Sequence, residues 1–162
     1  MRDRVRRRGR GRYRIKLPSN EQLLLSELVG QLRDQLSVST DEPHLRRLFP
    51  PAYANDAERD AGYQVLTRDE LLEKRLDAIE IVSRTMAGSD LDGEGLSAWM
   101  TTINSMRLVL GTRLDVDEDP PELDPDDPLA FPYAVYDYLG MLLFEVVEAL
   151  GDDLPPVTAT AN

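Results

Sequence analysis

Residues 96–116, LSAWMTTINSMRLVLGTRLDV, constrain the fold more than any other stretch of this chain. Leu96, Trp99, Met100, Ile103, Met106 and Leu110 recur at the three- and four-residue spacing of one helical face, while Thr101, Thr102, Asn104 and Ser105 fall largely opposite. So continuous an apolar stripe has to be covered by other elements, and the single tryptophan lies on it, so Trp99 is expected in the core rather than on a ligand-stacking platform. Gly111 directly follows the last stripe position, where a residue tolerant of positive φ ends a helix at least cost. Residues 112–116 then alternate polar and apolar, as a half-buried strand does.

The 162 residues suffice for one domain with a real core and are too few for two of ordinary size. Charge is unevenly placed. The first 16 residues hold eight arginines and one lysine against Asp3, a balance of +8, which leaves −19 on the remainder of a chain whose total is −11. So acidic a body repels nucleic acid, anionic membranes and acidic substrates, and the basic start is the one plausible contact for a polyanion. The absence of cysteine removes disulfides, thiol nucleophiles, thiolate metal sites and thiol redox switches. Apolar runs read as too short to cross a bilayer, and no secretory hydrophobic region follows the arginines, so a cytoplasmic location is expected.

Residues 1–10 combine like charge with little to bury and are expected to be a disordered arm, with Arg2, Arg4, Arg6, Arg7, Arg8 and Arg10 as its phosphate contacts if it binds nucleic acid. The plainer reading is a solubilising terminus. Residues 11–151 are expected to form one mainly helical domain, and residues 152–162 a loose tail. Tyr13, Ile15 and Leu17 alternate with Arg12, Arg14 and Lys16, a period-two strand signal, and residues 13–17 and 112–116 are expected to pair as a two-stranded ribbon. Ser19 with Gln22 has capping-box spacing ahead of a helix with Leu24, Leu25, Leu28, Leu32 and Leu36 on one face. A helical turn around residues 44–49 ends at Pro50 and Pro51. Thr67 with Glu70 then opens a second long helix to about residue 87, which Gly88 stops. The last helix, from about residue 133 to 150, has one stripe of Val135, Leu139, Leu142, Val146 and Ala149 and a second of Tyr136, Gly140, Leu143 and Val147. A helix apolar on two sides is expected to be the most buried of the bundle, with any bare part serving as a homodimer contact. The expected fold class is therefore mainly α: a single bundle of about four main helices with a small β-ribbon.

Chemistry is sparse. Asp115, Asp117 and Asp119 begin like a calcium loop but have Pro120 where glycine is needed, and Asp90, Asp92 and Glu94 lack a closing bidentate ligand, so no metal is expected. His44 is the only histidine, no phosphate-binding glycine loop occurs, and no carboxylate pair stands out, so neither a cofactor nor enzymatic activity is expected. Arg46 and Arg47 lie among Leu45, Leu48 and Phe49 in a proline-terminated segment. Together with Phe49 and Tyr53 they are candidates for pairing with an acidic protein partner. The competing reading is that Leu45, Leu48 and Phe49 pin a loop to the core while the arginines neutralise the acidic body.

The strings LRRLFPPAY at 45–53, RLVLGTRL at 107–114 and YDYLG at 136–140, in this order, resemble the actinobacterial domain-of-unknown-function family that includes the oxidative-stress regulator AosR. The resemblance implies a non-enzymatic cytoplasmic regulator that contacts a stress sigma factor and so affects transcription. It is also similar to proteins encoded beside the Clp protease adaptor. The redox-active cysteine pair of that regulator is missing here, so redox sensing does not carry over, and the resemblance transfers no catalytic residue.

Overall fold

The computed structural model describes residues 3–38, 42–49, 57–119 and 121–153, with the backbone alone for 57–66. Two strands open the chain, β1 (Val5–Gly9) and β2 (Arg12–Ile15), and pair antiparallel with Val5 opposite Ile15, Arg6 opposite Arg14 and Arg7 opposite Tyr13. Gly9 (φ 148°) and Gly11 (φ 68°) supply the positive φ values that reverse the chain. Strand β3 (Asp90–Leu91) lies on the other side of β2, giving the order β1-β2-β3. Tyr13, Ile15 and Leu17 are buried, as the alternation requires.

The ribbon expected between 13–17 and 112–116 does not form, and residues 5–9 of the expected disordered arm are a strand instead. Both corrections have one cause. A neighbouring segment joined by a tight turn closes a hairpin at little loop entropy, and part of the like charge that argued for disorder, that of Arg4 and Arg7, is paired with acids of the body. Arg4 Nε and Nη2 donate to Glu21 Oε2 and Oε1, each at 2.7 Å, Arg14 pairs with Asp90 at 2.8 Å, and Arg7 pairs with Asp153. Asp153 also accepts from the Tyr13 hydroxyl and, at 3.0 Å, from the Gly11 amide, so the end of the last helix clasps the hairpin turn.

Helix α1 (Ser19–Val38) buries Leu25, Val29, Leu32 and Leu36. Its expected capping box is replaced: Ser19 is already helical, and Gln22 Nε2 donates to the Leu17 carbonyl at 2.9 Å. A 3₁₀ turn (Pro43–Leu45) follows. Helix α2 (Ala57–Thr85) begins well before Thr67, so Thr67 and Glu70 are interior residues rather than a cap. Gly88, at φ 101°, turns the chain towards β3. Asp92 caps α3 (Gly93–Leu114) by accepting from the Gly95 amide at 2.7 Å. The helix runs straight through Gly111, and the left-handed Asp115 (φ 50°) ends it. Residues 112–114 are thus helical, which is why they cannot be the expected strand.

Helix α4 (Ala130–Gly151) buries Val135, Leu139, Leu142, Val146 and Ala149, the first of the two expected stripes. It is not the most buried helix. Ten residues of α3 are buried against five of α4, because α3 packs on α1, α2, α4, the 3₁₀ turn and the sheet, whereas α4 lies mainly along α3. For the same reason Thr102 and Ser105, expected to face away from the core, are both 1% exposed. Trp99 is 1% exposed, and its indole N–H donates to Thr85 Oγ1 at 2.8 Å.

The Arg4–Glu21 pair joins the hairpin to α1, and the Tyr138 hydroxyl of α4 donates to the same Glu21 Oε2 at 2.8 Å. The bidentate contact with Arg4 holds the Glu21 carboxyl below its ordinary range, against the opposing effect of burial. A carboxyl whose folded pKa is depressed contributes stability above its unfolded pKa and loses it as pH falls through the folded value. Glu21→Gln is therefore expected to cost about 1–2 kcal/mol at pH 7. In urea titrations repeated at falling pH, that difference should shrink below the ordinary carboxylate range; a difference independent of pH would refute the latch.

Candidate interaction surface

The second stripe of α4 divides into a packed part and a bare part. Its packed part meets α3 in a reciprocal fit. A Cβ on Gly111 would stand 3.0 Å from the Tyr136 ring, the Arg107 guanidinium lies 4.6 Å from the centroid of that ring, and a Cβ on Gly140 would be 3.3 Å from Arg107 Nε. The glycine of each helix thus receives the large side chain of the other. Gly111 is there for close approach and not as a helix stop, a distinction that helix-end statistics do not contain.

Along the bare part, Met141 (37% exposed), Phe144 (61%) and Val147 (47%) follow one another at i, i+3 and i+6, and Phe131 (68%) stands apart in the first turn. Three large apolar side chains aligned on one helix face form the kind of patch that marks a contact surface. Val147 was on the expected second stripe. Met141 and Phe144 were missed, although their three-residue spacing to Val147 carries the signal. By length and composition α4, 22 residues long with an 18-residue window of mean hydropathy 1.2, could cross a membrane. The expectation that every apolar run is too short to cross a bilayer is therefore not met on length and composition alone. Its buried stripe packs into the bundle, Asp137 and Glu148 are exposed on its outer surface, and Glu145 turns to the hairpin, where it accepts from the Arg4 amide at 3.1 Å.

The other candidate residues are scattered. Arg46 and Arg47 are exposed, but Leu45, Leu48 and Phe49 are buried, with the Arg68 guanidinium 5.9 Å above the Phe49 ring. Phe49 therefore belongs to the core and contributes nothing to an exposed contact; Tyr53 lies outside the described residues. Of the arm arginines, Arg4 and Arg7 are engaged in the pairs above, Arg6, Arg8 and Arg10 are exposed on the hairpin, and Arg2 is outside the described residues. His44 accepts from Arg113 Nη2 at 3.2 Å through Nε2, which is a structural contact. Asp90 and Asp92 serve Arg14 and the α3 cap. Among the described residues, no group of three or more histidine, aspartate or glutamate side chains is placed to hold a metal.

These features define a small helical domain with a basic β-hairpin tied to the helices by ion pairs, and with an apolar stripe bare on its last helix. The chain belongs to the family described as Domain of unknown function (DUF2017), whose sequence profile matches residues 1–150. It is 28% identical over 179 aligned residues to an AosR-named protein of Mycobacterium leprae (strain TN), covering 86% of this chain and 82% of that protein. It is 27% identical, over the same shares, to the oxidative stress regulator AosR of Mycobacterium tuberculosis (strain H37Rv) and to that of Mycobacterium bovis. No solved structure matches the chain.

Proposed function

We propose that this protein is a non-enzymatic, cytoplasmic regulator in the stress-linked control of transcription, acting by protein–protein contact through the exposed face of α4 and without a cysteine switch. The observation that carries the reading is the bare Met141, Phe144 and Val147 stripe on a helix whose Val135, Leu139, Leu142, Val146 and Ala149 stripe is packed. The names of the mycobacterial relatives support the regulatory part, and the absence of cysteine in this sequence supports the part without a thiol switch. A sigma factor is the partner that the family resemblance suggests, and a second copy of the chain is the alternative occupant of the same face.

The test is a binding titration of stress sigma factors from the source organism, with light scattering on the free protein. Phe144→Asp is expected to weaken partner binding by at least about thirtyfold, the size of a hot-spot loss of roughly 2 kcal/mol, while far-UV circular dichroism stays unchanged because the side chain is exposed. If the face instead pairs two copies, the wild type is a dimer and Phe144→Asp a monomer. A monomeric wild type that binds its partner equally well with and without Phe144→Asp overturns the assignment of the surface.

A second reading rests on Arg6, Arg8 and Arg10, exposed together on the hairpin of an acidic protein. A two-stranded basic ribbon can enter a nucleic-acid groove, and such binding would fall steeply with salt. Removing residues 1–10 would not test this cleanly, since it deletes β1. The charge reversals Arg6→Glu, Arg8→Glu and Arg10→Glu leave Arg4 and Arg7 in place, and DNA binding that is absent in the wild type or unaltered by them excludes the reading.

A further inference from the structure

One largely buried cation has no carboxylate partner among the described residues. Arg75, on α2, is largely buried and lines a cleft of about 420 Å³ between α2, α3 and α4. Its Nη1 donates to Ser105 Oγ at 2.6 Å, a longer contact of 3.5 Å joins Nη2 to the Leu48 carbonyl, and its buried Nε has no hydrogen-bond partner. No carboxylate contacts it among the described residues, and burial alone accounts for the downward displacement of its pKa. Burying a guanidinium without a counter-charge is unfavourable.

The walls reinforce the point. The cleft is lined by Leu71, Met100, Leu143 and Val147 on its apolar side, with Lys74, Thr101 and Asn104 beside Arg75, and no aspartate or glutamate among them. An adjoining surface hollow that shares Lys74 and Thr101 is by contrast lined by Glu70, Glu73, Asp77 and Glu94. Acids are thus abundant one helix face away and missing where the fixed guanidinium sits. A mostly apolar concavity with a few converging polar groups is the usual form of a small-molecule site, and a guanidinium fixed by Ser105 supplies the positive charge that a carboxylate would pair with.

We propose that this cleft binds a small organic monocarboxylate with an aliphatic body, its carboxylate on Arg75 and Lys74 and its chain along Leu71, Met100, Leu143 and Val147. The proposal goes beyond the protein-contact reading and does not depend on it. Occupancy would deliver the missing counter-charge and bridge α2 to α3 and α4, so the ligand would stabilise the domain and bias the part of α4 that carries the exposed stripe.

The probe is sodium octanoate, titrated onto the full chain by isothermal calorimetry and thermal shift, with 1-octanol as the uncharged analogue and sodium chloride at matched ionic strength. Octanoate is expected to bind and raise the melting temperature, and octanol to bind at least about tenfold more weakly. Arg75→Gln, which keeps a donor for Ser105 and removes the charge, should weaken octanoate about tenfold or more while leaving octanol unchanged. Val147→Trp, a change at an exposed position on the rim, should obstruct both ligands in a folded protein. Octanoate that fails to bind, that binds no better than octanol, or that binds Arg75→Gln as tightly as the wild type overturns the proposal. Because none of these readouts involves a partner protein, its failure is separable from that of the α4 surface.

Discussion

Trp99→Ala is expected to lower the unfolding free energy by about 3–5 kcal/mol, the range for truncating a large buried aromatic. For domains with about 5–15 kcal/mol in total, that is a major share of stability. Trp99 is 1% exposed on the central helix α3 and reaches back to the end of α2, where its indole N–H is received by Thr85 Oγ1 at 2.8 Å. Thr85 in turn donates to the Ile81 carbonyl at 2.7 Å, so one hydroxyl serves as acceptor for the indole and donor to its own helix. Two effects can therefore be separated. Trp99→Phe keeps most of the ring and strands no donor, and is expected to cost about 1–2 kcal/mol, within the range for partial cavities. Thr85→Val leaves the indole N–H unpaired in the core, at about 1–3 kcal/mol. Combined, the two should cost less than their sum, because removing the indole removes the need for the hydroxyl. Urea unfolding followed by far-UV circular dichroism provides the measurement, since substitution of the only tryptophan abolishes its fluorescence signal. Additive losses would show that the contact contributes nothing.

Elements that bury one face were readable from the sequence, and those decided by a second neighbour were not. Leu25, Leu32 and Leu36 of α1 and the Val135, Leu139, Leu142, Val146 and Ala149 stripe of α4 lie where their spacing puts them, because each helix has a single covered side. Thr102 and Ser105 broke the same logic on α3, where a helix surrounded by others buries its polar side too and needs partners there; Ser105 finds one in Arg75. The arginine-rich start looked unfoldable when its charges were counted in isolation. The acids that neutralise it, Glu21, Asp90 and Asp153, are separated from it in sequence and unite with it only in three dimensions. The candidate surface was half readable. Val147 was marked by its stripe, while of the two readings open for Phe49, a partner contact or a loop anchor, its burial with Leu45 and Leu48 bears out the anchor.

Gly111→Leu is expected to destabilise the protein by about 3 kcal/mol, at the upper end of the range for overpacking a filled contact. The reason is the stiffness of what it would meet. A Cβ at this position already stands 3.0 Å from the edge of the Tyr136 ring, and the ring is backed by the Arg107 guanidinium at 4.6 Å from its centroid. Gly111→Ala tests the balance more finely. Alanine gains up to about 1 kcal/mol over glycine in a helix interior, and the ring has to give way by a few tenths of an ångström to admit the methyl group, so the net change should be small. At Gly140 the atom in the way is Arg107 Nε at 3.3 Å, part of a long flexible side chain, and Gly140→Ala should accordingly be neutral or stabilising. The decisive comparison adds Tyr136→Ala to Gly111→Leu. Each change alone is destabilising, one by a cavity and the other by a collision, but together the leucine can occupy the space the ring vacated. The double variant is therefore expected to be more stable than the sum of the single losses by at least about 1 kcal/mol, well beyond the additivity of independent sites. Losses that simply add would mean that Gly111 ends up against something other than Tyr136, and the reciprocal glycine fit between α3 and α4 would have to be abandoned.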